Sequence, residues 1–173
     1  MNIYLIGYRC TGKTTVGKIL AGKLGWPVMD SDIELVHEEG RPISEIVESQ
    51  GWEAFRSIEK NVIQKLSLLD HHVIATGGGA VLNGENVSTM KKSGKLVWLK
   101  ATPETIHRRM TMDCETEKSR PALTDKGVFG EIEETLNIRN PIYQAAMDIA
   151  IDTDQLTPED ICSIIQEKLT GEP

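Results

Sequence analysis

The sequence predicts an α/β fold in a single domain spanning residues 1–173, with a parallel sheet of five strands and helices between them. Short apolar runs rich in β-formers alternate with longer amphipathic stretches, the pattern that builds a parallel sheet from strand–helix–strand units. At 173 residues the chain has the size of one domain and can bury most of its apolar surface. Hydrophobic residues at 39% and charged residues at 26% are the proportions of an ordinary globular protein. No internal repeat, low-complexity tract or linker divides it.

The strands are read at Asn2–Ile6, Pro27–Met29, His72–Ala75, Lys95–Leu99 and Ile149–Ile151. Each is a short apolar run, and the segments between them are long enough for crossover helices. Trp52, Phe55, Ile58, Val62, Leu66 and Leu69 recur at steps of three and four, which predicts an amphipathic helix with that stripe in the core and Arg56 beside it. Thr102-Pro103-Glu104 and Thr157-Pro158-Glu159 each offer a capping hydroxyl, a proline preset for the first turn and an acid that suits the helix dipole. Two helices are expected to start there. Thr111–Gly127 is polar and poor in large apolar residues, so it reads as a long mobile loop of the kind that is usually functional or disordered.

The net charge of −7 and pI near 5.1 oppose attraction to nucleic acid or to an anionic membrane surface. Anionic ligands would require the few positive charges to be concentrated at one site. Cys10, Cys114 and Cys162 are scattered and odd in number, which fits a reducing compartment and gives neither a disulfide framework nor a zinc spacing. Met1-Asn2 leads straight into an apolar run with no basic leader, so secretion and membrane insertion are not expected and the location is read as cytoplasmic.

Gly7-Tyr8-Arg9-Cys10-Thr11-Gly12-Lys13-Thr14 fits the pattern GxxxxGK[ST], placed after a strand and before a helix. Glycines let the backbone wrap closely around a phosphate, and amides at a helix N-terminus meet its charge. Gly7, Cys10, Thr11, Gly12, Lys13, Thr14 and Thr15 are therefore assigned to ATP, with Lys13 on the β- and γ-phosphates and Thr14 on Mg²⁺. Asp30-Ser31-Asp32 follows the second strand, at the sheet edge where open α/β folds bind ligands. Either Asp30 or Ser31 simply caps the next helix, or a metal ion or a substrate hydroxyl sits between the paired carboxylates. Gly77-Gly78-Gly79 follows the third strand and either makes a plain strand-to-helix turn or offers bare amides for the close approach of a ligand. Arg56 has a plain alternative as the partner of Glu59, and Arg139 as a solvated charge.

Together with Phe55-Arg56 and Glu59, the run Ala75–Val81, Arg120-Pro121 and the stretch from Arg139 to Tyr143, these motifs resemble shikimate kinase in order and spacing along essentially the whole chain. The resemblance implies a P-loop kinase fold with five parallel strands flanked by helices, a substrate-binding region at about 31–60 and a mobile lid at about 111–127. It implies transfer of the γ-phosphoryl group of ATP to the 3-hydroxyl of shikimate, with Mg²⁺, in aromatic amino-acid biosynthesis. By that likeness Asp32, Arg56, Gly77, Gly78, Gly79 and Arg139 hold shikimate, and Thr14 and Asp30 serve the metal. Arg120 is the lid arginine, and Arg109 and Pro158 flank adenine; Lys13, Asp32 and Arg120 carry the catalysis. Cys10 departs from the family pattern, which usually has glycine there. A planar guanidinium suits a carboxylate, and Asp32 suits the acceptor hydroxyl's proton. Shikimate and ATP are the expected partners of a monomer. The competing readings are another kinase of the same fold, of the gluconate or nucleoside-monophosphate type, and a nucleotide-binding module without catalysis.

Overall fold

The structure is a computed structural model in which residues 1–112 and 127–171 are described. β1 (Asn2–Ile6) leads into α1 (Lys13–Leu24), β2 (Val28–Asp30), α2 (Ser31–Glu39) and α3 (Ile43–Ser67). β3 (Val73–Ala75), α4 (Gly84–Ser93) and β4 (Gly94–Lys100) follow, then α5 (Pro103–Met112). Beyond the undescribed residues come α6 (Gly127–Ala146), β5 (Ile149–Asp152) and α7 (Pro158–Thr170). The five strands form one sheet in the order β2-β3-β1-β4-β5, and every pairing is parallel.

β1 sits at the centre and is buried throughout, and its alternating side chains divide the core. Tyr4 and Ile6 join Ile74, Leu96 and Trp98 under α3, α4 and α6. Ile3 and Leu5 join Val73, Val97 and Leu99 under α1 and α7. Helices thus cover both faces, and the chain leaves β1 and β3 toward opposite faces. That is the topological switch point at which open α/β sheets form a ligand crevice. Both the phosphate loop and the triple glycine lie there.

Strand ends move by a residue or so from the expected ones, for local reasons. Pro27 has no N–H to donate, so β2 begins at Val28, although the Pro27 carbonyl still accepts from Val73 N at 3.0 Å. His72 N is taken by the Asn2 side chain at 3.0 Å, which leaves β3 to start at Val73. β4 extends back to Gly94, where a Cβ would lie 2.1 Å from the Asn2 carbonyl oxygen. Both proline-led helices form, with Thr157 in a reciprocal capping box with Asp160 and Thr102 Oγ1 accepting from Thr105 N at 3.3 Å.

The stripe on α3 needs one correction. Phe55, Val62 and Leu66 are buried, but Trp52 is 38% exposed and turns to the crevice. α3 is also broken at Gly51 (φ 83°, ψ 170°), which separates the stripe from the turns before it. Thr111 and Met112 continue α5, with Thr111 Oγ1 on the Arg108 carbonyl at 2.8 Å, and Gly127 opens α6. The rest of the expected lid, Arg120 included, lies outside the described residues. Among the described residues no helix is long and apolar enough to cross a membrane.

Candidate active site

The loop between β1 and α1 is shaped by close approach. A Cβ on Gly7 would stand 2.5 Å from the Leu99 carbonyl oxygen, so only glycine fits where the loop crosses β4. Thr11 Oγ1 donates to the Tyr8 carbonyl at 2.8 Å and closes the turn. Lys13 is 8% exposed, and its Nζ donates to the carbonyls of Gly7 at 2.9 Å and Tyr8 at 2.7 Å, which folds the ammonium back over the loop. Among the described residues no side chain caps α1, and no acid stands in its first turn, so its N-terminal amides and dipole face the loop's hollow. Cys10 holds φ 58°, a left-handed conformation in which glycine carries no Cβ penalty. The departure at Cys10 thus keeps the loop shape at the cost of some strain. Its side chain is half-buried against the cluster of Tyr8, Ile106, Ile132 and Leu136.

Asp30 closes β2 and caps α2, its Oδ1 accepting from Asp32 N at 3.0 Å, while Oδ2 accepts from Thr14 Oγ1 at 2.9 Å. Capping and facing the phosphate loop are therefore compatible in one side chain. Ser31, by contrast, is buried and accepts from Gly77 N at 2.9 Å, which ties the triple glycine to α2. A hydroxyl and a carboxylate side by side are hard oxygen donors, the set that suits Mg²⁺ when phosphates and waters complete its shell.

On the far side of the loop, Cys10, Thr11, Gly12 and Thr15 share a cleft with Arg109, Leu156 and Pro158. Arg109 spans it, donating to the Cys10 carbonyl at 3.3 Å and to Thr153 Oγ1 and O at 3.1 and 2.9 Å. Neighbouring Arg108 is exposed. Arg109 and Pro158, 49 residues apart in sequence, thus meet beside the phosphate loop.

The second cleft, with about 520 Å³ of empty space, brings together Asp32, Arg56, Gly77, Gly78, Gly79 and Arg139. Arg56 Nη1 donates to Glu59 Oε2 at 2.7 Å. This is not the solvated surface bridge that the spacing alone suggests, because Glu59 is 2% exposed. Burial pushes the Glu59 carboxyl up, Arg56 opposes that shift, and Glu59 Oε1 has no hydrogen-bond partner among the described residues. A Cβ on Gly79 would fall 2.2 Å from Arg56 Nη2, and one on Gly77 would fall 2.5 Å from Asp32 Oδ1. The glycines make room for these charged groups. Arg139 Nη1 donates to the Gly78 carbonyl at 3.3 Å and so is not a purely solvated charge. The Tyr143 hydroxyl donates to the same carbonyl, and burial raises its pKa to about 12.

Residues that sequence reasoning passed over complete the wall. Trp52 meets Phe55 edge-on at 5.7 Å, and the Arg56 guanidinium stands 5.6 Å and 5.1 Å from the two ring centroids. Tyr8 and Arg9 line the opposite side, with Arg9 paired to Glu131 of α6. Only the stripe position of Trp52 offered a local signal for any of these. The arrangement sets an anion-binding loop beside a cleft lined by the guanidinium groups of Arg9, Arg56 and Arg139 and the carboxylates of Asp32 and Glu59. It can hold a nucleotide, a metal ion and a small acidic acceptor next to one another.

Comparison with known proteins agrees with that chemistry. The shikimate kinase family profile matches residues 9–170. The chain is 38% identical over 160 residues to a shikimate kinase of Rhodopirellula baltica, covering 92% of this chain and 86% of that one. It is 41% identical over 168 residues to a shikimate kinase of Moorella thermoacetica, covering 97% and 94%. Among solved structures, a shikimate kinase from Acinetobacter baumannii in complex with shikimate superposes with a TM-score of 0.91 at 34% identity, over 98% of this chain and 93% of that one. A profile match across the site, close relatives over nearly the full length and the same fold leave one conclusion: the chain belongs to the shikimate kinase family.

Proposed function

We propose that this chain, as a member of the shikimate kinase family that phosphorylates shikimate with ATP and Mg²⁺, uses the cleft between α3, the triple glycine and α6 as its acceptor site. The observation that carries the assignment is the convergence of Asp32, Arg56 and Arg139 on one cleft beside the phosphate loop. Arg56 and Arg139 come from different helices and offer planar donors to the carboxylate. Glu59 holds Arg56 at one Nη, which leaves the rest of the fork for the ligand. Asp32 accepts the proton of the 3-hydroxyl as its oxygen forms a bond to the γ-phosphorus and the bond from that phosphorus to the bridging oxygen of ADP breaks.

Lys13 and the amides of the loop hold the phosphates, and Arg109 and Pro158 flank the adenine. Thr14 and Asp30 would hold the Mg²⁺, Asp30 through water, and the ion supplies charge neutralisation on the phosphates when bound. Arg120, in the segment between α5 and α6, completes the charge around the transferring group, and residues 31–60 form the region that receives the acceptor. Most of the acceleration then comes from alignment and fixed charge rather than covalent chemistry. The enzyme is read as a cytoplasmic monomer without nucleic-acid or membrane partners, a reading supported by its net charge of −7 and scattered cysteines.

An ADP-release assay with shikimate, gluconate and nucleoside monophosphates as separate acceptors tests the reading. Release that depends on shikimate alone is expected. Stimulation by gluconate or a nucleotide instead, or acceptor-independent release, would refute it.

A further inference from the structure

Buried charge gathers where the phosphate loop, the triple glycine and α6 meet. Arg9 of the loop pairs with Glu131 of α6, and the two side chains are only 11% and 5% exposed. Gly78 packs on the same loop: a Cβ there would lie 3.4 Å from the Gly7 carbonyl oxygen and 3.5 Å from Arg9 N. The Gly78 carbonyl in turn receives Arg139 and Tyr143 of α6. Glu131, Arg139 and Tyr143 follow at multiples of four residues, so one stripe of the helix makes both contacts. Loop, glycines and helix close a three-sided frame, and the Arg9–Glu131 pair is its only side made by two ionised groups.

We propose that Arg9 and Glu131 are positioning residues for phosphoryl transfer: their ion pair fixes α6, and with it Arg139, against the phosphate loop. The frame therefore sets the separation between the acceptor's carboxylate and the γ-phosphate. This rests on the assignment of Arg139 to the acceptor. A buried pair adds little net stability, because desolvation offsets attraction, but it holds one relative orientation of the elements that carry it. An apolar contact would allow the helix to slide. Losing the pair leaves each substrate's own contacts in place while letting the reacting atoms drift apart, which lowers turnover more than binding.

The test is steady-state kinetics of Arg9→Met, Glu131→Gln, Arg9→Lys and the double variant Arg9→Met/Glu131→Leu, with melting temperatures taken on the same samples. The expected result is a kcat lower by about tenfold to a hundredfold in the Met and Gln variants, with KM for shikimate and for ATP within about threefold of the parent. Arg9→Lys keeps a charge for Glu131, so its kcat should fall between those of the parent and Arg9→Met. The double variant removes both members of the pair together and puts apolar side chains in their place, which keeps the proposal testable if a single variant does not fold; the same loss of kcat is expected. Parental kcat in the double variant overturns the proposal. So does a rise in the shikimate KM of Arg9→Met with kcat retained, which would make Arg9 a direct acceptor contact. The parent's shikimate-dependent ADP release, measured alongside, separates failure of the frame from failure of the functional reading.

Discussion

At the scale of single residues, function here depends on groups whose surroundings decide what they can do. Asp32 shares its cleft with Arg9, Arg56 and Arg139 and lies against Gly77, whose missing Cβ leaves room for the carboxylate, and we assign it to the acceptor hydroxyl. Asp32→Asn is expected to lower kcat by roughly a hundredfold or more while leaving ATP affinity within a few fold, read from initial rates and nucleotide titration. Near-parental turnover would remove Asp32 from the mechanism. Tyr143 makes a different kind of contribution, because burial raises its pKa from 10.0 to about 12. Above pH 10 the unfolded chain releases this proton while the folded one keeps it, so stability is lost as pH rises from 10 toward about 12. The loss amounts to about 2–3 kcal/mol at its limit. Denaturant unfolding at about pH 9 and about pH 11.5 should therefore show a larger alkaline loss in the parent than in Tyr143→Phe. Equal losses would mean that the hydroxyl titrates normally.

At the scale of elements, the cleft proposed for the acceptor is lined by side chains from helices at the carboxyl edge of the sheet. Arg56 stands on α3 and Arg139 on α6, so each presents its fork from a rigid support. Replacing either by Lys substitutes a point charge for a planar donor pair. Arg56→Lys and Arg139→Lys should each weaken shikimate binding by about tenfold with ATP binding nearly intact, measured by calorimetric titration of both ligands. Unchanged shikimate affinity in both would return these arginines to a structural role. The strands, the phosphate loop and the two proline-led helices were legible because each is written in neighbouring residues: a period, a cap, a spacing. The burial of Glu59 was not legible, since its spacing from Arg56 reads the same on an exposed helix as on a buried one. Nor was the Arg9–Glu131 pair, whose members lie 122 residues apart and meet only through the fold. Trp52 was misassigned to the core because its stripe continues to a helix end that overhangs the crevice.

At the scale of the whole molecule, a chain of net charge −7 binds anions by collecting cations at one sheet edge. Lys13, Arg56, Arg109 and Arg139 reach that edge from four helices, in a chain with 26 acidic against 19 basic side chains. The strand order β2-β3-β1-β4-β5 makes this possible by placing the phosphate loop and the triple glycine on adjacent strands. Two anionic ligands can then lie side by side in clefts that share the loop. The fold class and the phosphate loop follow from local sequence alone, whereas Arg109 and Pro158 beside adenine and the arginines of the acceptor half needed the family resemblance to pick them out. The most direct measurement of the whole account is phosphorus–proton correlation NMR on a mixture of the enzyme, ATP, Mg²⁺ and shikimate. The account requires the ATP γ-signal to give way to ADP and a new monoester signal coupled to the ring proton at the 3-position. Unchanged ATP, or a monoester coupled to any other ring proton, would contradict it.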